Sequence, residues 1–153
     1  HRRPHNAAGP VDPDFTAFLT QAWPTLGRDR LGDVTTTPIG LYQAKLDAYL
    51  QLEAQLTARN TAVRRIRFED FATDQLAVFA GFADLLTGAA QTPRPVTGGI
   101  KDKDKTARDY AAYYSQELWK ADYPDSARQI VTDGLDWALM ARFGYAPWTT
   151  VGA

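Results

Sequence analysis

The feature that most constrains the fold of this chain is a change of period at Glu69. The run AVRRIRF, 62–68, sets Val63 and Ile66 among arginines in a β-favouring stretch. Beyond the Glu69-Asp70 corner, Leu76, Phe79, Phe82, Ala83 and Leu86 recur every three or four residues until Gly88. The first pattern predicts a strand over 63–68. The second predicts a helix over 74–87, closed by a glycine suited to the left-handed conformation. A single strand cannot satisfy its own backbone donors and acceptors, so this one needs neighbours that the rest of the chain does not clearly supply. A short strand between amphipathic helices is one β-α piece of a parallel sheet covered on its faces. The expected class is therefore α/β, mostly helical, with one clear strand.

The remaining segments read as helices joined by loops. In DPDFTAFLTQAW, Phe15, Phe18 and Leu19 fall on one side of a short helix that Pro24 stops. GRDRLGDVTTTP reads as loop. Over 41–59, Tyr42, Leu46, Tyr49, Leu50 and Leu56 predict a long helix with one buried stripe. The stretch AAQTPRPVTGGIKDKDK has no period and is rich in Pro, Gly and charge, which marks a long surface loop of the kind that often carries function. Thr106 with Asp109 forms a capping-box pattern at the start of a helix over 106–120, whose buried side is Tyr110, Ala111, Tyr114 and Leu118. Ser126 with Gln129 repeats the pattern before a helix over 126–143. Ala127, Ile130, Val131, Leu135, Ala138 and Leu139 give that helix its apolar stripe, and Gly144 closes it.

At 153 residues the chain suits one compact domain. The 17 basic and 18 acidic residues leave a net charge of −1, which gives no general attraction to nucleic acid or an anionic membrane, so any cationic site must be local. Zero cysteines exclude disulfides, thiolate zinc sites and cysteine nucleophiles together. No apolar run approaches the ~20 residues of a membrane span. The chain opens on His1 rather than methionine, and HRRPHNAAGP has no apolar core of a signal peptide, so a processed chain or a piece of a longer one is expected.

RIRFEDFATDQLAVFAGFADLLTG resembles the late strand and helix of sulfotransferases, where a strand ends in Arg-aromatic-Glu-Asp and leads into a helix. PIGLYQAKLDAYLQLEAQL is similar to the helix that precedes that strand in bacterial members. YYSQELWKADYPDSARQIVTDGLDWALMARFGY is similar to their C-terminal helical segment, and HRRPH resembles the segment just after the element that holds the donor's 3′-phosphate. The resemblance covers residues 1–145, with 146–153 as a tail. It implies the C-terminal, mostly helical part of a P-loop-type, three-layer α/β/α fold, and a cytoplasmic protein.

Members of the family transfer a sulfuryl group from 3′-phosphoadenosine 5′-phosphosulfate (PAPS) to a hydroxyl or amine, so the resemblance implies PAPS as donor, no metal, and a carbohydrate or small-molecule acceptor. The donor's phosphosulfate calls for a Gly/Ser/Thr-rich turn at a helix N-terminus. No such turn stands after a strand here, and the family's catalytic base also lies upstream. The resemblance thus implies a C-terminal portion that is inactive alone. It further implies self-association, or packing with the missing N-terminal half.

The implied donor contacts are Thr97, Gly98, Gly99, Lys101 and Lys103 of the basic loop, with Arg2 and Arg3 at the start of the chain and His5 toward the acceptor. Each has a plainer reading. Lys101, Lys103 and Lys105 alternate with Asp102 and Asp104 as a solvated charge run would, and Arg2, Arg3 and His5 also fit an exposed basic terminus. His1 and His5 lack the carboxylates that would make a metal site with them. Glu69 and Asp70 read better as capping residues paired with an arginine than as an acid/base pair, because neighbours on a strand face opposite ways. Tyr110, Tyr113, Tyr114, Trp119 and Trp137 fit helical core as well as an acceptor pocket. A non-catalytic helical module that packs on a partner stays open beside the enzyme.

Overall fold

The computed structural model describes residues 12–24, 34–86, 93–98 and 104–148. The chain divides into two compact units, one of His1–Gln55 with Tyr123–Ala153 and the other of Leu56–Asp122. Most of the described residues are helical. None of their helices is long and apolar enough to cross a membrane.

In the first unit, α1 (Phe15–Thr20) starts where the Asp14 carboxylate accepts from the Ala17 N–H at 2.7 Å. The strands β1 (Trp23–Pro24) and β2 (Thr35–Thr36) pair antiparallel, Trp23 opposite Thr36. Pro38 then opens α2 (Pro38–Ala58), with the Thr37 hydroxyl accepting from the Gly40 N–H at 3.2 Å; a proline at the first helical position loses no bond the helix would have made. The core forms where α2 meets α7 (Trp137–Ala141): Leu46 and Leu50 pack with Leu139 and Met140, flanked by half-buried Trp137, Phe143 and Tyr145. Leu19, Leu41 and Ala127 are buried as well.

The predicted helix over 126–143 is two helices, α6 (Asp125–Gly134) and α7, because Asp136 ends one run by capping the next: its carboxylate accepts from the N–H groups of Ala138 and Leu139 at 2.9 and 3.0 Å. Gly134 permits the break at close quarters, since a Cβ there would lie 3.1 Å from Ile39 Cδ1. The Gln43 amide holds the turn against α2, donating to the Gly134 carbonyl at 3.3 Å and accepting from the Asp136 N–H. Ser126 is not a cap; Pro124 takes that position, and the Ser126 hydroxyl meets that of Thr16 at 3.0 Å. Gly144 closes α7 as expected, at φ 79°, with Tyr145 N–H donating back to the Met140 carbonyl at 3.2 Å. Tyr123 sits edge-on to both Phe15 and Trp148, with centroids 5.0 and 5.2 Å apart.

The second unit begins with the last residues of α2. Asn60, at φ 57°, ends that helix, and Thr61 N–H reaches the Leu56 carbonyl at 2.9 Å. The strand expected over 63–68 is absent: 61–67 forms neither helix nor strand, and Phe68 opens α3 (Phe68–Thr73). β-Favouring residues make a strand only where a ladder receives them, and the only ladder among the described strands joins β1 to β2. The expected helix over 74–87 is also shorter. Asp74 caps α4 (Gln75–Ala80), which stops at Gly81 and gives way to a 3-10 turn, Ala83–Leu86. Gly88 lies outside the described residues. The helix expected over 106–120 runs as α5 (Ala107–Ser115), then breaks at Glu117, φ 52°, before a second 3-10 turn, Leu118–Asp122.

Burial differs sharply between the two units. Among the described residues of the second unit, Ala72 is the one buried hydrophobic, while Ile66, Phe68 and Leu76 are 50%, 58% and 64% exposed. The buried stripe expected on α2 is met only in part: Leu46 and Leu50 are in the core, Leu56 is half-buried, and Tyr42 and Tyr49 are exposed.

Candidate functional site

Of the expected donor contacts, Thr97 and Gly98 lie among the described residues, and Arg2, Arg3, His5, Gly99, Lys101 and Lys103 lie outside them. Thr97 and Gly98 stand at the N-terminus of α5. The Ala107 N–H donates to the Thr97 carbonyl at 3.1 Å, and Gly98 forms an antiparallel bridge with Thr106. The two ends of the basic loop are therefore tied together at its base.

The capping box read from Thr106 and Asp109 is present. The Asp109 N–H donates to the Thr106 hydroxyl at 3.3 Å, and the Thr106 N–H and hydroxyl both donate to Asp109 Oδ2 at 2.7 Å. The backbone N–H of Thr106, and then its hydroxyl, hold the Asp109 carboxyl below its usual pKa. A carboxylate thus already occupies the positive end of this helix. A second tie was not foreseen: the Gln75 amide accepts from the Val96 N–H at 2.7 Å and donates to the Val96 carbonyl at 3.1 Å, pairing with that residue as a neighbouring strand would. No sequence signal marks it, since Gln75 comes after Asp74 as an ordinary first-turn residue. An open cleft of about 490 Å³ runs along this base, between Leu76, Val96, Thr97 and Arg108.

The Arg-Phe-Glu-Asp corner forms a second feature of the same unit. The Arg67 guanidinium donates to both Asp70 carboxylate oxygens, at 3.0 and 2.9 Å, so the expected pairing of this acidic corner with an arginine is met at Asp70. Glu69 and Asp70 lie in the first turn of α3, where their charge favours the helix. Phe68 stands edge-on to Tyr114 at 5.2 Å, which joins α3 to α5. Burial, then the charge of Glu69, pushes the Tyr114 phenol above its ordinary pKa, so it stays protonated and neutral at physiological pH. A cleft of about 580 Å³ opens between Arg67, Asp74, Tyr114 and Glu117.

Tyr110, Tyr113, Tyr114, Trp119 and Trp137 are all half-buried. Among the described residues no three His, Asp or Glu side chains gather as a metal site would need. The chain matches no protein-family model, no curated protein and no solved structure.

Proposed function

We propose that this chain is part of a cytoplasmic sulfotransferase that moves a sulfuryl group from PAPS to a hydroxyl or amine of a carbohydrate or other small molecule, and that alone it is inactive. The reading rests on one observation. A run that is neither helix nor strand, 61–67, delivers Arg67, Phe68, Glu69 and Asp70 directly into α3, and a second capped helix begins at Asp74. A P-loop-type three-layer α/β/α sheet would supply the ladder, and would cover Ile66 and Phe68. The sheet and the catalytic base belong to the upstream half in this reading.

This chain's part is to close on the donor. The loop from Thr97 through Gly98, Gly99, Lys101 and Lys103 meets the 3′-phosphate, with Arg2 and Arg3 near it and His5 toward the acceptor. Charge-assisted contacts to phosphate contribute about 1.5–3 kcal/mol each, so replacing Lys101 and Lys103 by alanine in the full-length protein should weaken binding of 3′-phosphoadenosine 5′-phosphate by about tenfold or more. Acceptor affinity should change much less. Wild-type affinity in a calorimetric titration of the double variant would return the lysines to a solvated charge run.

The exposed Ile66, Phe68 and Leu76 also favour a second reading, a non-catalytic helical module that packs on a partner protein. The residues encoded upstream of His1 discriminate: a strand, a Gly/Ser/Thr-rich turn and a helix there mark the enzyme.

A further inference from the structure

We propose that the cleft of about 490 Å³ beside Leu76 and Val96 binds a small carboxylate with an apolar body, of the kind a medium-chain fatty acid presents, and that Arg108 takes its carboxylate. The inference does not rest on the sulfotransferase reading.

The cleft lies within the second unit, and its walls are held in place. α3 packs against both α4 and α5, and its buried Ala72 lines the cleft between them. The 95–97 segment makes the remaining wall and is pinned to both helices. Gln75, at the start of α4, pairs with the N–H and the carbonyl of Val96, and the Ala107 N–H, at the start of α5, donates to the Thr97 carbonyl. A cleft built this way is open before a ligand arrives, so little ordering opposes binding. Its volume is that of a small-molecule site, which runs to roughly 300–1,000 Å³.

The chemistry of the lining selects the ligand. Leu76 and Val96 are 64% and 47% exposed, and with half-buried Ala111 they leave apolar surface in water that an apolar body would cover. Two of the described lining residues carry charge, Asp74 and Arg108. The Asp74 carboxylate is engaged as the cap of α4, accepting from the Ala77 N–H at 3.0 Å. The Arg108 guanidinium makes no hydrogen bond or ion pair among the described residues, and it acts on Asp109 only through space. Elsewhere in this unit Arg64 pairs with Asp84 and Arg67 with Asp70. Arg108 therefore offers its whole fork of donors, the geometry that a carboxylate meets with both oxygens. A head group of higher charge is disfavoured, because Asp74 and Asp109 stand close by and repel it.

The test is a calorimetric titration of the full-length protein with hexanoate, octanoate and decanoate, and with 1-decanol as the neutral counterpart. Affinity should rise about twofold per added methylene, the step expected when an open cleft covers half of a group worth about fourfold on full burial. Decanoate should bind about tenfold more tightly than decanol, and Arg108→Ala should abolish that preference while leaving decanol affinity unchanged. Leu76→Ala should weaken both probes alike. Leu76 and Arg108 are exposed, so both variants should keep the wild-type unfolding midpoint. Equal wild-type affinity for decanoate and decanol, or a preference for decanoate that survives Arg108→Ala, refutes the role of Arg108 and the proposal with it. Affinity that ignores chain length, or is untouched by Leu76→Ala, refutes the cleft as the site. A wild-type protein that binds none of the probes refutes the whole inference, and each of these results leaves the sulfotransferase reading where it stands.

Discussion

Leu50 and Leu52 lie two residues apart on α2, and replacing each by alanine should separate the core of the first unit from the surface it leaves open. Leu50 is 8% exposed and packs with Leu46, Leu139 and Met140; Leu52 is 50% exposed. Truncating Leu50 removes buried methyl groups and leaves a void between α2 and α7, for which core leucines cost about 2–5 kcal/mol. At Leu52 there is no void to leave. Roughly half of the transfer term for a leucine is at stake, which puts the cost near or below about 1 kcal/mol. Guanidinium unfolding monitored by tryptophan emission would read both, because Trp137 packs against the Leu50 cluster. The midpoint should fall several times further for Leu50→Ala than for Leu52→Ala, with unchanged slopes. Equal costs would mean that Leu52 is covered as well as Leu50, and the assignment of faces on α2 would be wrong.

Gly144→Ala should cost about 1–2 kcal/mol in the same assay, because the residue sits at φ 79°, where a Cβ meets the following carbonyl. The Asp109 carboxyl, titrated by NMR, should protonate below the usual aspartate range, and Thr106→Ala should move that titration upward. Its folded pKa is the depressed one, so its contribution to stability is present above the unfolded value and is lost as pH falls through the folded value.

What could be read from the sequence was what neighbouring residues settle among themselves. The Thr106–Asp109 box is two side chains three positions apart meeting each other's backbone, and Gly144 needs only its own freedom at positive φ. The long α2 was legible in its spacing, yet which leucines and tyrosines it buries was not, because the spacing does not say what the rest of the fold sets against each position. The break between α6 and α7 was present in the letters as Gly134 and Asp136, a stop and a cap two residues apart, but the apolar period runs on through it. The missed strand failed for a different reason. Val63 and Ile66 favour extended backbone, and 61–67 is neither helix nor turn, but a ladder is a property of two segments and one cannot announce it alone. Of the candidate site, the capping box and the Arg67–Asp70 pair were legible as local pairs. The tie between Gln75 and Val96 joins residues 21 apart in sequence, and so it was not.

The division of the first unit into two stretches has a consequence for how the protein is made. Leu46 and Leu50 emerge from the ribosome on α2, but their packing partners Leu139 and Met140 arrive only after the whole of Leu56–Asp122 has been synthesised. At roughly 5–20 residues per second, the intervening ~90 residues take about 4–18 s, long against the microseconds in which a helix forms. For that interval the nascent chain carries the apolar face of α2 uncovered. The first unit cannot close its core during translation until α7 has cleared the exit tunnel, so the window most open to misassembly and to chaperone capture spans the whole synthesis of the second unit.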